Sequence, residues 1–302
     1  MCVSIVNWQH TGLGLLLALA ACAGCRPEST DATPTSHPAV QRIITLAPNA
    51  AEIIAALGES KRLVAVSDFC VYPPELDKLP RIGGLFNPDL EAIVRLEPDL
   101  IVLRGRSEPL ERLCADRHIR IFLDPTEDLD DIYTTIHELG VILDRRKAAK
   151  MLQRDMRRRL DRITAAVAGR PRPRVFMTIA RKPDSLAGIL TASEGTFVHE
   201  IITRAGGENV FADSAVAYPQ VSPEAILAAQ PDVIIEAMPE AEPSRALEGK
   251  IRDVWRGLGP IPATRNDRVY VLTDDNALIP SPRVVDVIAR LARWLHPQAD
   301  WD

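Results

Sequence analysis

The stretch that decides the fold runs from Arg81 to Arg104 and reads RIGGLFNPDLEAIVRLEPDLIVLR. Asn87 is a favourable N-cap and Pro88 suits the first helical position, so the apolar residues that follow at helical spacing predict a short amphipathic helix. Pro98 ends that helix because proline cannot continue it. The apolar run from Leu100 to Leu103 then predicts a strand that is buried on both faces, as in a parallel sheet.

The same unit occurs a second time from Ser222 to Ile235, which reads SPEAILAAQPDVII. It repeats the cap, the proline, the Glu-Ala-Ile core and the Pro-Asp pair that precedes an apolar strand. Arg42 to Thr45 and Arg174 to Met177 each predict the opening strand of a half, followed by a helix that ends at a glycine. Two copies of about 100 residues predict two similar lobes, because a solenoid would need at least three short repeats.

The composition allows two ordinary globular domains, since the chain has 302 residues of which 46% are hydrophobic and 25% are charged. Between the halves lies an arginine-rich run in which Leu152, Met156 and Ile163 recur at helical spacing. This run predicts a long linking helix whose arginines form a solvated face. We therefore place the N-terminal lobe at 40–143, the linking helix at 144–169 and the C-terminal lobe at 170–302.

The N-terminus predicts export. Leu13 to Ala21 is apolar, too short to cross a bilayer but long enough for the core of a signal peptide. The next residue is Cys22, and the sequence LAAC that it completes matches the lipobox of bacterial lipoproteins. We therefore predict a lipoprotein signal peptide at 1–21 and lipidation at Cys22.

Two alternatives to that prediction stay open. Cys25 is a second candidate for lipidation, and residues 1–10 contain no Lys or Arg, which leaves room for a cleaved secretory signal without a lipid. Residues 22–39 are rich in Pro, Ser and Thr and predict a flexible tether. The sequence leaves it open whether Cys70 and Cys114 form a disulfide.

Several classes of function are excluded. A net charge of −5 and an isoelectric point near 5.8 argue against a nucleic-acid binder. The chain has no G-x-S-x-G elbow, no glycine-rich phosphate loop and no H-E-x-x-H pair, so no catalytic site is predicted. The six histidines lie far apart in sequence, and we expect neither a dedicated metal site nor a cofactor.

Aromatic residues mark the candidate binding loops. Phe69 and Tyr72 lie in the loop after the second predicted strand, and Phe86 precedes the first repeated helix at the place where Tyr218 precedes the second. Arg104 lies just beyond the carboxyl end of a strand, where open α/β sheets place their ligands. A single loop tyrosine beside two prolines is by default a packing residue, so that interpretation of Tyr72 also stays open.

Taken together, these motifs resemble the iron-siderophore and cobalamin substrate-binding proteins of ABC importers, and most of all the cobalamin-binding branch. The likeness runs from about Val40 to Pro297 and is carried by RIITLAP from Arg42, YPPE from Tyr72, NPDLEAI from Asn87, EPDLIV from Glu97, AGGENV from Ala205 and YPQVSPE from Tyr218. It implies an α/β fold of two Rossmann-like lobes joined by a single long α-helix. It also implies a ligand cleft between the lobes and little hinge closure.

The resemblance also implies roles for particular residues. Tyr72 and Tyr218 become cleft aromatics, Asp275 a cleft acid, and Glu91 and Glu224 the acids that dock on the permease. With Phe69, Phe86 and Arg104 these residues complete the predicted site. Counting from the caps pairs Asp89 with Glu224, whereas counting back from Pro-Asp pairs Glu91 with Glu224, and the sequence leaves both registers open.

We therefore expect a monomeric, lipid-anchored protein on the periplasmic or cell-surface side of the membrane, with an ABC permease dimer and its ATPase as partners. The bound ligand is expected to be a corrinoid. The alternatives are a ferric siderophore or haem carrier, a tetrapyrrole-related enzyme on the same architecture, and a surface lipoprotein without a transport role. The fold does not choose among them, because function belongs to the site.

Overall fold

A computed structural model describes residues 39–239 and 241–301. The predicted signal peptide, the lipidation at Cys22 and the tether up to residue 38 lie outside the described residues. Within the described ranges the strands form two four-stranded parallel sheets and one two-stranded antiparallel sheet. No helix in these ranges is long and apolar enough to span a bilayer.

The first lobe is a parallel sheet with helices on both faces. Its strands run in the order β2-β1-β3-β4 and are β1 (Ile43–Thr45), β2 (Leu63–Val66), β3 (Leu100–Leu103) and β4 (Arg120–Leu123). Its helices are α1 (Pro48–Ala56), α2 (Leu90–Leu96), α3 (Glu108–Arg117) and α4 (Leu129–Ile142). The linking helix α5 (Arg146–Val167) follows.

The second lobe repeats this arrangement. Its strands are β5 (Arg174–Thr178), β6 (Ile189–Leu190), β7 (Glu208–Asn209), β8 (Gln220–Val221), β9 (Val233–Ala237) and β10 (Val269–Leu272). The parallel sheet has the order β10-β9-β5-β7, and β6 pairs with β8 in antiparallel fashion. The helices are α6 (Phe197–Arg204), α7 (Pro223–Ala229), α8 (Arg245–Arg256), α9 (Pro262–Arg265) and α10 (Val284–Leu295).

One continuous apolar core joins the lobes through α5. Ala149, Met156 and Ile163 recur every seven residues along α5 and are buried. They belong to a core that also includes α1 and α4 of the first lobe and α6 and α10 of the second. Because close-packed interiors resist deformation, this core holds the lobes as one body. The predicted fold of two α/β lobes joined by a single long helix is confirmed.

The lobes also touch directly. A carboxylate oxygen of Glu200, on α6, accepts a hydrogen bond from the backbone N of Leu129 at the start of α4, at 2.7 Å. Burial raises the pKa of Glu200, and the nearby Asp128 adds to that effect, while the hydrogen bond from Leu129 opposes it. This contact ties the N-terminus of a first-lobe helix to the second lobe.

The outer face of each sheet has a separate core. Ile44 and Ile101 pack with the residues of α2 and α3, while Phe176 and Ile234 pack with those of α7 and α8. All four residues of β3 are buried, as the apolar run Leu100 to Leu103 predicts. Strands buried on both faces are characteristic of parallel sheets.

The Pro-Asp pair of each repeat has a structural role. The Asp99 carboxylate accepts hydrogen bonds from the backbone N of Gln41 at 2.7 Å and of Arg42 at 3.1 Å. The Asp232 carboxylate accepts the corresponding bond from the backbone N of Arg174, at 2.9 Å. In both lobes the aspartate therefore fixes the start of the first strand.

An arginine at the start of that strand completes the connection. Arg42 Nε donates to the carbonyl of Leu96 at 2.9 Å, and Arg174 Nη2 donates to the carbonyl of Ala229 at 3.0 Å. Leu96 and Ala229 are the last residues of α2 and α7. The two arginines thus satisfy carbonyl groups that a helix end leaves without a partner.

The predicted N-cap of the first repeat is wrong. Asp89, not Asn87, caps α2 and accepts a hydrogen bond from the backbone N of Ala92 at 2.8 Å. Asn87 instead accepts a bond from the backbone N of Gly84, at 3.1 Å, in a turn that begins at Gly83. Gly83 has φ of +79°, and a Cβ there would clash with the carbonyl oxygen of Asn87, so the turn requires glycine.

The corrected cap also settles the register of the two repeats. Ser222 caps α7 as predicted, accepting a bond from the backbone N of Ala225 at 3.2 Å. Counted from Asp89 and Ser222, Glu91 and Glu224 are both the second helical residue. Glu91, and not Asp89, is therefore the counterpart of Glu224.

The question of the disulfide is also answered for two cysteines. Cys70 and Cys114 are both free, buried thiols. Cys70 lies in the core that joins the lobes, whereas Cys114 lies in the outer core of the first lobe. Burial raises the pKa of Cys114 to about 11, so its thiol stays protonated at neutral pH.

Candidate functional site

The predicted ligand-binding residues lie on loops at the carboxyl ends of the strands. Phe69 and Tyr72 follow β2, Arg104 follows β3, and Asp275 follows β10. Phe86 precedes α2, and Tyr218 precedes β8. The carboxyl edge is where open α/β sheets bind ligands, so these loops form the candidate site.

Four aromatic side chains at these loops are exposed. Their exposed fractions are 95% for Phe86, 65% for Phe69, 46% for Tyr218 and 38% for Tyr72. The neighbouring Val71 and Val216 are exposed as well. Exposed large apolar side chains that cluster in this way mark a binding surface more often than an ordinary surface.

Three loops of the first lobe converge. A Cβ on Gly84 would lie 3.1 Å from Cε2 of Phe69, and a Cβ on Gly105 would lie 3.2 Å from Cδ2 of Leu85. These contacts join the loop after β2, the loop before α2 and the loop after β3. The structure thus brings Phe69, Phe86 and Arg104 to one edge of the first lobe.

Tyr218 of the second lobe lies close to charges of the first. Arg104 Nη2 lies 3.6 Å from a carboxylate oxygen of Glu127, in the loop after β4. Burial raises the pKa of the Tyr218 hydroxyl, the charge of Glu127 raises it further, and the charge of Arg104 opposes the increase. The hydroxyl of Tyr218 therefore lies near enough to Glu127 and Arg104 of the first lobe for their charges to act on its pKa.

Arg283 brings Tyr72 and Asp275 together. Arg283 Nη1 donates to Asp275 Oδ1 at 2.8 Å, and Arg283 Nε donates to Glu52 Oε2 at 2.9 Å. The guanidinium carbon lies 3.6 Å from the centroid of the Tyr72 ring. Burial lowers the pKa of Arg283, but the hydrogen bonds to Glu52 and Asp275 outweigh that effect and raise the pKa above its ordinary value.

The two predicted docking acids lie at matching helix N-termini. Both carboxylates are exposed, and Glu91 lies 3.7 Å from Arg95 Nη1 on the same helix. The side-chain hydrogen bond with Ser222 lowers the pKa of Glu224. A carboxylate in the first turn is favoured by the helix dipole, so this placement stabilises each helix whatever further role the two acids have.

The second lobe has a cavity of about 560 Å³ that none of the predicted residues lines. Its lining includes a buried ion pair in which Arg181 Nε lies 2.8 Å from Glu236 Oε1. Glu236 also accepts a hydrogen bond from Trp255 Nε1, at 2.8 Å. The charges of Arg181 and Glu236 are thus paired within the lobe, while the buried Arg181 Nε has no partner in hydrogen-bonding geometry.

Sequence reasoning missed Glu52, Glu127 and Arg283. Glu52 carried a usable signal, because it is the only charged residue in the mostly apolar segment PNAAEIIAA of α1. A carboxylate on a buried helix face needs a charged or hydrogen-bonding partner. The identity of that partner, Arg283, is not encoded in any local pattern.

In the described part of the chain, no group of three or more His, Cys, Asp or Glu side chains could hold a metal ion.

Comparison with known proteins agrees with this architecture. The sequence profile of the family described as "Periplasmic binding protein" matches residues 43–276. The vitamin B12-binding protein of Vibrio cholerae serotype O1 is 32% identical over 257 residues, which cover 84% of this chain and 89% of that protein.

Two solved structures are also similar. The periplasmic vitamin B12 binding protein BtuF of Vibrio cholerae has a TM-score of 0.72 and 31% identity, over 85% of this chain and 97% of that one. A periplasmic heme binding protein from Pseudomonas aeruginosa has a TM-score of 0.75 and 26% identity, over 86% and 94%.

Two parallel-sheet lobes around a fixed linking helix, with exposed aromatic side chains at their carboxyl edges, define a two-lobed solute-binding protein. The chain belongs to the periplasmic binding protein family. This family provides the substrate-binding component of ABC importers, and the chain is a binding protein and not an enzyme. The alternative of a tetrapyrrole-related enzyme is thereby excluded.

Proposed function

We propose that this protein is the substrate-binding lipoprotein of an ABC importer, and that it captures a corrinoid such as cobalamin and delivers it to the permease. The observation that carries the proposal is the set of exposed aromatic side chains contributed by both lobes at the carboxyl edges of the sheets. Flat apolar rings suit the faces of a macrocycle. The relatives named for vitamin B12 support the same ligand.

The charges at the site favour a neutral ligand over an anionic one. Arg104 is paired with Glu127, and Arg283 is paired with both Glu52 and Asp275. An anionic chelate would need a cation that is free to pair with it. The amide rim of a corrinoid needs hydrogen-bond donors and acceptors instead, which these paired side chains provide.

The second candidate is a haem or ferric siderophore carrier. The similar heme binding protein favours it, and Arg104 would then turn from Glu127 to an acidic group of the ligand. The two candidates differ in the charge that the ligand brings to the site. A direct comparison of ligands therefore separates them.

The experiment is to incubate the purified protein with cyanocobalamin, haemin and a ferric siderophore in turn, and to record spectra after desalting. We expect cyanocobalamin to be retained at one molecule per chain. Retention of haemin or the siderophore in its place would favour the second candidate. Retention of none of the three would contradict both.

The lipid anchor is a separate part of the proposal. A diacylated Cys22 would anchor the protein stably, because two acyl chains hold a protein where one is marginal. Mass spectrometry of the mature N-terminus tests this. We expect a lipid on Cys22, and a free terminus or a lipid on Cys25 would show the assignment to be wrong.

The proposal also assigns the permease contact to Glu91 and Glu224. One exposed acid on each lobe suits a two-fold permease that presents arginines on both halves, since paired contacts set orientation as well as attraction. The matched register of the two helices supports this pairing.

A further inference from the structure

We propose that Arg283 is a positioning residue of the ligand cleft, and that it holds Tyr72 and Asp275 at the geometry in which the ligand meets them while it fixes one lobe against the other. This inference rests on the proposed function for the ligand, but its structural part can be tested independently. Neither the sequence patterns nor the similarity to known proteins assigns a role to Arg283.

All three nitrogens of the guanidinium group donate hydrogen bonds. Arg283 Nε and Nη2 donate to the two oxygens of Glu52, and Nη1 and Nη2 donate to the two oxygens of Asp275 at 2.8 and 3.0 Å. A planar guanidinium can bind two carboxylates in this bidentate way, whereas the ammonium group of lysine cannot. The site therefore calls for arginine and not simply for a positive charge.

The cluster connects the two lobes. Glu52 lies on α1 and Tyr72 follows β2, both in the first lobe, whereas Asp275 and Arg283 belong to the second. The Arg283–Glu52 bond spans 231 positions of the chain. Glu52 is only 5% exposed, and a buried carboxylate without its partner is strongly unfavourable. The lobes are thus held together at this point by an ion pair to which each lobe contributes one partner.

Arg283 also determines what the cleft offers to a ligand. Its guanidinium carbon lies 3.6 Å from the Tyr72 centroid and covers one face of the ring, and the Tyr72 side chain as a whole is 38% exposed. Arg283 holds Asp275 at a fixed place and compensates its charge. The distance between the ring of Tyr72 and the carboxylate of Asp275 is therefore set by Arg283.

A cavity of about 320 Å³ adjoins the cluster. It is lined by residues of both lobes, including Tyr72 and Arg283, and by Met156 and Arg159 of α5. Removing the guanidinium would enlarge this cavity, so the Tyr72 ring and α1 would have room to move. We therefore expect the spacing of the lobes to vary once Arg283 is lost.

The test compares Arg283→Met with Arg283→Lys and with a matched control, Arg159→Met. Arg159 lines the same cavity, and its ion pair is with Asp286 of α10 and involves neither Tyr72 nor Asp275. Using cyanocobalamin as the probe, we expect titration calorimetry to show about a tenfold or larger loss of affinity for Arg283→Met, an intermediate loss for Arg283→Lys, and a change of less than about twofold for the control.

The spacing of the lobes is measured by pulsed electron paramagnetic resonance in the absence of ligand. Spin labels are placed at Arg95→Cys on α2 and Ala228→Cys on α7, both exposed, with Cys2, Cys22 and Cys25 replaced by serine. The native Cys70 and Cys114 are each 1% exposed and stay unlabelled. We expect a broader distance distribution for Arg283→Met than for the wild type or the control.

An unchanged distance distribution in Arg283→Met would overturn the inference. Unchanged affinity together with a broader distribution would overturn the positioning role in ligand binding. If Arg283→Met does not fold, Glu52→Gln removes one charge of the same pair and is expected to show the same two changes at smaller size. If the wild type binds neither cyanocobalamin nor haemin, the proposed function fails, and the distance measurement still decides whether Arg283 fixes the lobes.

Discussion

The two lobes share the hydrogen bonds that hold their first strand, but they differ in the loops at their binding edges. In each lobe an aspartate after the repeated helix holds the start of the first strand, through Asp99 in one and Asp232 in the other. The first lobe then offers exposed aromatics on two loops, whereas the second offers Tyr218 and the charged Asp275 and Arg283. The repeat thus sets the scaffold, and the loops that it leaves free to vary supply the binding chemistry.

The largest expected effect tests the two predicted docking acids, which occupy equivalent positions in the two lobes. We expect Glu91→Arg combined with Glu224→Arg to abolish uptake of the ligand by cells, because both contacts with the permease would become repulsive. Ligand affinity and melting temperature should change little. Uptake assays in cells and calorimetry on the purified protein measure the two effects.

The single variants serve as the controls for this prediction. Each should reduce uptake partially, and equally if the lobes are equivalent. Normal uptake by the double variant would show that Glu91 and Glu224 do not dock on the permease. A loss of stability of about 0.5 kcal/mol or more at each site would favour the helix-dipole explanation.

The next prediction concerns the edges where the lobes differ. We expect Tyr72→Ala and Tyr218→Ala each to weaken binding of cyanocobalamin roughly ten- to a hundredfold, since losing a buried aromatic contact costs on the order of 1 to 3 kcal/mol. Tyr270→Ala is the matched control, because Tyr270 stacks on Trp294 within the second lobe, with ring centroids 4.8 Å apart. If the two cleft variants bound cyanocobalamin as tightly as the control, the assignment of the ligand site to Tyr72 and Tyr218 would be wrong.

The scaffold could be predicted from sequence because its signals are local. Pro98 and Pro231 follow the ends of α2 and α7, and the apolar run after each Pro-Asp pair is a buried strand, as predicted. The error at Asn87 has the same origin. The motif Asn-Pro matches an N-cap, but the Asn87 side chain is engaged by the backbone of Gly84, and the helix begins only after Asp89.

The site was harder to predict because its contacts are not local. The loops that carry Phe69, Phe86, Arg104 and Tyr218 could be located from strand ends. The pairing of Glu52 with Arg283 could not, since no periodicity links residues 231 positions apart. Glu127 was missed for the same reason, as its partner Arg104 lies on a neighbouring strand's loop.

A smaller effect is expected at the aspartates that hold the start of the first strand in each lobe. We expect Asp99→Ala and Asp232→Ala each to lower the free energy of unfolding by about 1 to 3 kcal/mol, because hydrogen bonds to a charged acceptor are among the stronger ones. The loss should be greater at Asp99, which within the described residues accepts bonds from one more backbone N–H than Asp232 does. Urea denaturation measures both losses, and an equal or reversed order would show that the additional hydrogen bond of Asp99 does not contribute to stability.

The smallest expected effect is a pH dependence that belongs to the second lobe. His296 lies at the end of α10, with Nε2 3.2 Å from the carbonyl oxygen of Gly206. Burial lowers the pKa of His296, the charges of Arg170 and Arg268 lower it further, and the bond with Gly206 opposes the decrease. The folded state therefore favours the neutral ring more than the unfolded state does.

The sign of the effect follows from that difference. Stability contributed by neutral His296 is present above its unfolded pKa of about 6.5, and is lost as the pH falls through the lower folded pKa. We expect the melting temperature of His296→Gln to fall less than that of the wild type between about pH 7 and about pH 5. Parallel curves for the two proteins would show that His296 does not contribute to the acid sensitivity.

The claim that both lobes hold one ligand between them is tested most directly by hydrogen–deuterium exchange with and without cyanocobalamin. We expect the ligand to protect the loop at 67–73 of the first lobe and the loop at 216–220 of the second, and to leave the outer helices α3 and α8 unchanged. Protection confined to one lobe, or centred on the Arg181 cavity and α8, would contradict a cleft between the lobes.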